Sequence, residues 1–498
     1  MFKKIAFGAF VILTALAIIF AFHEEKSVTT ASDEAYKHYL KGVELIDQFY
    51  FRPAMDEFEK AVALDSNFAM AQAALARTYD NLGYRQKAKD LWKVVDRTKD
   101  KVTDREQLLI AMREAENNSD RDKAYALAEE YLKKYPDKLE GYTNLAIAEY
   151  SKQHWEKAIE LYHKALTIDP TNATSYNMLG YLNYYVGRYD DALAMLDKYV
   201  ELSPNQANPF DSKGEILNAV GRYEEAIASF RQAFNINPDF DFAVLHMADS
   251  YGALGELSQQ DYCFKLLLTQ PPNENKKYNY LLALAKAYSE RQEFDSCIAL
   301  SAKIMKEDPE PEKGNAIGAS VYTAFSYYFK RDLPGVEESW KEARKIVEKV
   351  AEVRPSILKE GWYARRRIIE EATIADLNGN LEKAASGIGS ILDSISIPAD
   401  KINFRMIYAD ILRREGNLDQ AKSELQKNLS VNPNHVRTLM LLATILENGG
   451  DKENADNYRQ KALAVLKNAD PSFKPLLALQ NKINKSVADV PSSKTIHQ

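Results

Sequence analysis

The sequence predicts an all-α chain, a right-handed α-solenoid of about twelve stacked helical hairpins, and three observations carry that reading. The chain repeats itself every 34 residues, so that Ala158, Ala192 and Ala226 hold equal places in WEKAIELYHKAL, YDDALAMLDKYV and YEEAIASFRQAF. Each alanine is followed one helical turn later by a large side chain (Tyr162, Leu196, Phe230) and preceded, in the helix before it, by a small one (Ala146, Gly180, Gly214). Glycine and proline are scarce, 20 and 17 among 498 residues, whereas tyrosine numbers 29, which suits helices joined by short turns better than a β-rich fold.

Each element of the repeat has a physical reason. Where two antiparallel helices cross closely, small residues let the backbones approach and the large ones fill the hollows beside the crossing. Gly187 and Gly221 stand between the two helices, where a left-handed residue ends the first. Pro170, Pro204 and Pro238 follow the second helix, which they cannot continue, and pre-set the turn into the next hairpin. Paired carboxylates such as Asp190-Asp191 and Glu224-Glu225 open second helices, where negative charge meets the positive end of the helix dipole.

These positions and their spacing resemble the tetratricopeptide repeat family. The same alanine place is filled by Ala54, Ala88, Ala124, Ala384, Ala421 and Ala455, and in three degenerate copies by Gln260, Cys297 and Val336. Twelve hairpins then cover roughly 33–467. The segment TDREQLLIAMREA (103–115) further resembles stretches of bacterial repeat arrays, some attached to signalling kinases and cyclases, and no such enzyme domain accompanies it here.

The resemblance implies that first helices line a concave face that holds an extended peptide. The family's groove positions fall on Tyr150, Asn177, Tyr181, Tyr184, Asp211, Glu215 and Asn218, with Asn144 nearby. The subclass that grips C-terminal carboxylates carries Lys and Asn at two of these places. This chain has Thr143 and Ile147, then Asn177 and Tyr181, then Asp211 and Glu215, so a neutral to basic peptide or protein segment is the expected partner.

At the N-terminus, Lys3 and Lys4 precede an uncharged run over 5–22. Eighteen helical residues rise roughly 27 Å, close to a hydrocarbon core. The expectation is a bacterial membrane-anchored protein, single-pass through 5–22, with its N-terminus cytoplasmic and its body extracytoplasmic by the positive-inside rule. A cleaved secretory signal, giving a secreted or periplasmic body, is the alternative. No cysteine lies near the end of the run, which excludes a lipid-anchored lipoprotein.

Composition bounds the function. The 65 basic and 72 acidic residues leave a formal charge of -7, which argues against a nucleic-acid partner. Two cysteines, Cys263 and Cys297, are too few for a disulfide framework or a structural zinc site and read as core thiols, although an inter-repeat disulfide is conceivable in an exported chain. No catalytic, metal or cofactor motif is present, and the fragment Gly387-Ile388-Gly389 lacks the third glycine and the strand of a dinucleotide fingerprint.

The expected function is a non-enzymatic protein-protein interaction scaffold without a cofactor, its oligomeric state left open. The alternative is a sensory or regulatory module of a signalling system whose enzyme is encoded separately. The expected organisation is an anchor or signal over 1–26, a linker over 27–32, repeats one to nine over 33–309, degenerate and C-terminal repeats ten to twelve over 310–467, a capping helix over 468–486 and a disordered tail over 487–498.

Overall fold

The computed structural model describes residues 26–488 apart from 49, 119, 270, 272–273, 309–313 and 360. Twenty-five α-helices make up nearly all of the described residues, and no strand occurs among them. They are α1 (Asp33–Asp47), α2 (Phe51–Leu64), α3 (Ala69–Asn81), α4 (Arg85–Thr98), α5 (Asp104–Asn117), α6 (Arg121–Lys134), α7 (Leu139–Ser151), α8 (Trp155–Ile168), α9 (Ala173–Tyr185), α10 (Tyr189–Leu202), α11 (Ala207–Ala219), α12 (Tyr223–Ile236) and α13 (Asp241–Leu254). They continue as α14 (Leu257–Thr269), α15 (Glu274–Glu290), α16 (Phe294–Glu307), α17 (Asn315–Phe329), α18 (Leu333–Val353), α19 (Gly361–Leu377), α20 (Leu381–Ser394), α21 (Ile402–Arg414), α22 (Leu418–Val431), α23 (Val436–Asn448), α24 (Lys452–Val465) and α25 (Lys474–Ala488).

Among the described residues, consecutive pairs form twelve hairpins of a repeat solenoid, eight ending by Glu307 and four following from Asn315, where the spacing suggested nine and three; α25 follows them as a single helix. The twelve marker residues all fall on second helices, and every one except Ala124 is fully buried. The small residues of the first helices meet the large ones of the second as the repeat requires. A Cβ added to Gly214 would lie 2.4 Å from the Phe230 ring, and one added to Gly180 would lie 2.6 Å from Leu196. Where Gln260 replaces alanine, its side-chain oxygen is compensated: Arg291 Nε donates to Oε1 at 2.8 Å and the guanidinium also holds Asp261 at 2.6 Å. The register slip between Val336 and Ala384 comes from α18, which runs 21 residues, followed by a 3-10 turn over Pro355–Lys359.

The membrane expectation is corrected. Among the described residues no helix is long and apolar enough to cross a membrane, which overturns the single-pass placement with an extracytoplasmic body. The apolar surface of these helices forms one stripe spent on neighbouring helices, and even the long α18 carries charges through its length (LPGVEESWKEARKIVEKVAEV). The run over 5–22 that prompted the expectation lies outside the described residues, as does the expected tail beyond α25.

Packing divides the chain into two compact units, Met1–Ser175 and Tyr176–Gln498. In the first, residues 27–31 are tied down. Thr29 donates its amide and hydroxyl to the Glu106 carboxylate at 2.6 and 2.7 Å, and Thr30 donates to Asp65 at 2.6 Å. Glu106 also completes the capping box of α5 with Thr103, so the TDRE motif both starts that helix and receives the N-terminal strap.

In the second unit the superhelix comes round onto itself. Asn432 Nδ2, before α23, donates to Tyr223 Oη at 3.0 Å, and Asn434 Nδ2 donates to the Gly221 carbonyl at 2.9 Å. One hairpin further on, the Asp470 amide donates to the Gly255 carbonyl at 2.9 Å while its carboxylate accepts from Ser258 at the start of α14. Lys474 Nζ then reaches the Gln292 carbonyl at 2.8 Å. Glycine is required at both seams. Gly221 and Gly255 have φ of +80° and +73°, and a Cβ there would stand 2.2 Å from Asn432 Oδ1 and 2.5 Å from Phe473 respectively.

Candidate functional site

The eight sequence-predicted residues all lie on first helices. Asn144 and Tyr150 belong to the first unit, both half-buried on α7, the Tyr150 ring 5.3 Å from that of Trp155. Beside them Glu149 is fully buried. It accepts from Tyr125 Oη at 3.1 Å, from His154 at 2.7 Å and from Lys157, an arrangement with every partner supplied, which reads as a structural tie between hairpins.

The other six lie in the second unit, on α9 and α11. Tyr181, Tyr184, Glu215 and Asn218 line a recess of about 430 Å³. Helical periodicity puts 181 and 184 on one face of α9 and 215 and 218 on one face of α11. His246 and Asp249 of α13 continue the wall, and Ile397 and Asp400, from the turn before α21, form the opposite side. Asn177 and Asp211 do not open onto it: both are buried.

Asp211 and Glu215 are therefore not the free acidic lining that the sequence suggested. The His246 ring stands between them, Nδ1 3.0 Å from Asp211 Oδ1 and Nε2 3.6 Å from Glu215 Oε1. Tyr181 donates its hydroxyl to the other Glu215 oxygen. Burial alone would lower the imidazole pKa, but the hydrogen bond and charge of Asp211, with Glu215 and Asp249, override it and push it up to about 9. Glu215 is raised, chiefly by burial and then by Asp211, against the pull of His246. The group is an imidazolium clasped by two carboxylates, and Asp249 is in turn paired with Lys286 at 3.0 Å. The acidity that favoured a basic partner is largely consumed inside the protein.

The ligand atoms of Asp211, Glu215 and His246 lie within 4.8 Å of one another, a set that a divalent cation accepts. The ion would have to displace the imidazole proton that the two carboxylates hold. Sequence reasoning missed this cluster because it weighed histidines by spacing along the chain. The signal was the period itself: His246 is 35 residues after Asp211, so stacking adjacent first helices sets them side by side.

A second recess of about 260 Å³ adjoins the first, sharing Asn218 and Asp249 and reaching Lys286, Glu290, His435 and Arg437. His435 accepts the Thr438 amide and hydroxyl through Nδ1, and burial, with Arg437 beside it, pushes its pKa down to about 3. Glu290 is raised by burial, against Lys286.

Other motifs resolve as structure. Cys263 and Cys297 are separate, free and buried. Gly387 sits within α20, where a Cβ would come 2.9 Å from that of Ala372, so it serves a close helix contact. Arg366 and Arg367 face Glu370 and Glu371 one turn on, at 3.5 and 3.2 Å.

The family comparisons agree with this register. A model described as TPR repeat matches residues 146–187, and one described as tetratricopeptide repeat matches 173–206 and 210–240. No curated protein matches the chain. Among solved structures, a tetratricopeptide repeat protein from Parabacteroides merdae is 17% identical, covering 50% of this chain and 96% of its own, with a TM-score of 0.41. MamA is 23% identical over 32% of this chain and 92% of its own, with a TM-score of 0.29. The hetero-tetramer Cut9-Hcn1 of the APC/C is 15% identical over 90% of this chain and 96% of that chain, with a TM-score of 0.32. The chain thus carries tetratricopeptide repeats, matched over 146–240 and lying within a series of twelve described hairpins.

Proposed function

We propose that the chain is a non-enzymatic scaffold that holds an extended segment of a partner protein along the inner face of its second unit. The observation that carries the reading is the convergence of Tyr181, Tyr184, Glu215 and Asn218, chosen from repeat position alone, on one recess. Its volume of about 430 Å³ takes one or two side chains. A helix with its side chains is about 10 Å across and too wide for it. Tyrosine rings with an amide beside them bind a peptide by apolar area and hydrogen bonding together. Because His246 and Lys286 offset the nearby carboxylates, the fitted segment is neutral in this recess, with basic residues tolerated beside Asp400.

The test is co-purification from the native cell with full-length protein carrying Tyr184→Ala and Asn218→Ala. Neither side chain belongs to the His246 clasp, so helical content is expected to stay unchanged while recovery of a stoichiometric partner falls at least tenfold. Undiminished recovery removes the recess from the binding site. Lysine at 211 or 215 is a poor probe, because it would break the clasp and with it the fold.

A further inference from the structure

A third recess, of about 380 Å³, opens on the inner face of the second unit where α17, α21, α23 and α25 approach one another. Its floor is apolar, made by Phe329, Met406, Met440 and Leu441, and its charged groups are Arg331, Asp410, Arg437 and Lys482. The single acid is already satisfied: Asp410 holds Arg413 at 2.8 Å and Arg414 at 3.1 Å. Arg331 is likewise engaged, with Asp376 at 2.7 Å.

Arg437 differs from these arginines. Its guanidinium lies over the Phe329 ring, 5.6 Å from the centroid, and among the described residues no carboxylate comes within ion-pairing distance of it. Burial lowers its pKa, only partly offset by the more distant Glu290. Lys482 donates to Thr444 Oγ1 at 2.7 Å and has no carboxylate partner either. A half-buried guanidinium without a counter-ion is an unfavourable feature of a folded protein, and one that a bound anion relieves. Phe329 is in addition one of the exposed large apolar side chains, stacked on Phe294 and Phe325 at 5.9 and 6.2 Å, so the apolar surface beside the cation is rigid and uncovered.

We propose that this recess receives a carboxylate carried next to an apolar side chain on the partner segment, Arg437 gripping the carboxylate and Phe329 with Met440 taking the apolar group. A planar guanidinium stacked on an aromatic ring keeps its edge donors free for a two-pronged grip on a carboxylate. The inner face then recognises two kinds of residue along one segment, a neutral stretch at Tyr181 and Tyr184 and an acidic-apolar pair at Arg437. The proposal rests on the reading of that face as the partner-binding face. The Tyr184 and Asn218 variants test that reading without touching Arg437, so the two failures are distinguishable.

The experiment uses fluorescence anisotropy of full-length protein with a labelled octapeptide of alternating Glu and Leu. The Glu-Leu peptide is expected to bind, its Lys-Leu and Glu-Ser analogues at least tenfold more weakly. Arg437→Gln is expected to weaken it tenfold or more, Lys482→Gln about threefold, and the remote, exposed Arg367→Gln not at all. The thermal midpoint of Arg437→Gln should be no lower than that of the parent, since an unpaired cation is removed; a lower midpoint would mark Arg437 as structural and overturn the proposal. Equal binding of the Lys-Leu peptide, or binding indifferent to Arg437→Gln, overturns it as well. Hexanoate or inorganic phosphate displacing the peptide at equal molar concentration would assign the recess to a free small anion instead.

Discussion

His246 stands 3.0 Å from Asp211, across two consecutive first helices, and so joins the repeats on either side of the recess by a charged hydrogen bond. The imidazole pKa rises from 6.5 to about 9. A raised basic group stabilises the fold fully below its unfolded value and loses that contribution as pH climbs through the folded value. The window is therefore about pH 6.5 to 9, and the shift corresponds to on the order of 3 kcal/mol. Titrating the His246 ring by NMR should give a midpoint near 9. His246→Asn should lower the denaturant midpoint at pH 6 and have far less effect above pH 9.5. A midpoint near 6.5 would mean that the clasp is absent in solution.

Gly214 should resist enlargement. Alanine is favoured over glycine within a helix by about 1 kcal/mol. The added Cβ would sit 2.4 Å from Phe230, however, and overpacking of that kind costs about 1–3 kcal/mol. The net expectation for Gly214→Ala is a loss of stability that shrinks or changes sign in a Phe230→Leu background, read as a double-mutant cycle in urea. Additive effects would show that the two residues do not meet.

How far the sequence was readable follows from such pairs. The small-large pairing of Gly214 with Phe230 is local and recurs at 34-residue intervals, so hairpins, marker residues and turns were legible. Compensated exceptions were harder, as with Gln260, whose partner Arg291 belongs to the next hairpin. The register slip near 355 hid an unusually long α18. The return of the second superhelix onto itself had no sequence signal at all, since Asn432 and Tyr223 are separated by five hairpins and joined only by the accumulated rotation of the stack. Four of the recess-lining residues stand at positions marked by repeat spacing, whereas the far wall at Ile397 and Asp400 and the neutralisation of Asp211 and Glu215 had no such signal.

The seam at Asn432 should be measurable. Asn432→Ala removes the partner of the buried Tyr223 hydroxyl and should cost about 1–3 kcal/mol. Tyr223→Phe in the same chain should recover part of that loss. Hydrogen exchange at 220–223 and 432–434 is expected to quicken together in Asn432→Ala; quickening of one segment alone would mean that they are not coupled.

Asp376 anchors the C-terminal hairpins. Its carboxylate is fully buried and accepts from Tyr328 Oη at 2.7 Å, Arg331 at 2.7 Å and Arg414 at 2.5 Å. Burial pushes its pKa up, but these three donors together prevail and hold it below the usual carboxylate range. A depressed carboxylate stabilises above its unfolded pKa and is lost as pH falls below about 4. Asp376→Asn leaves Arg331 without its carboxylate and Arg414 with Asp410 alone, and should cost roughly 2 kcal/mol at pH 7, below the values for fully buried pairs because Arg331 is half exposed. The variant's deficit should narrow between pH 4 and pH 2, and a pH-independent deficit would contradict the assignment.

The most direct test of the scaffold reading is site-specific photocrosslinking in the native cell, with a photoreactive phenylalanine at 184, in the recess, or at 262, an exposed aromatic position on the outer helix α14. Crosslinks from 184 to one discrete protein, through an extended segment of it, with none from 262, are the expected result. Crosslinking from 262 with none from 184 would place the partner on the outer face and contradict the account.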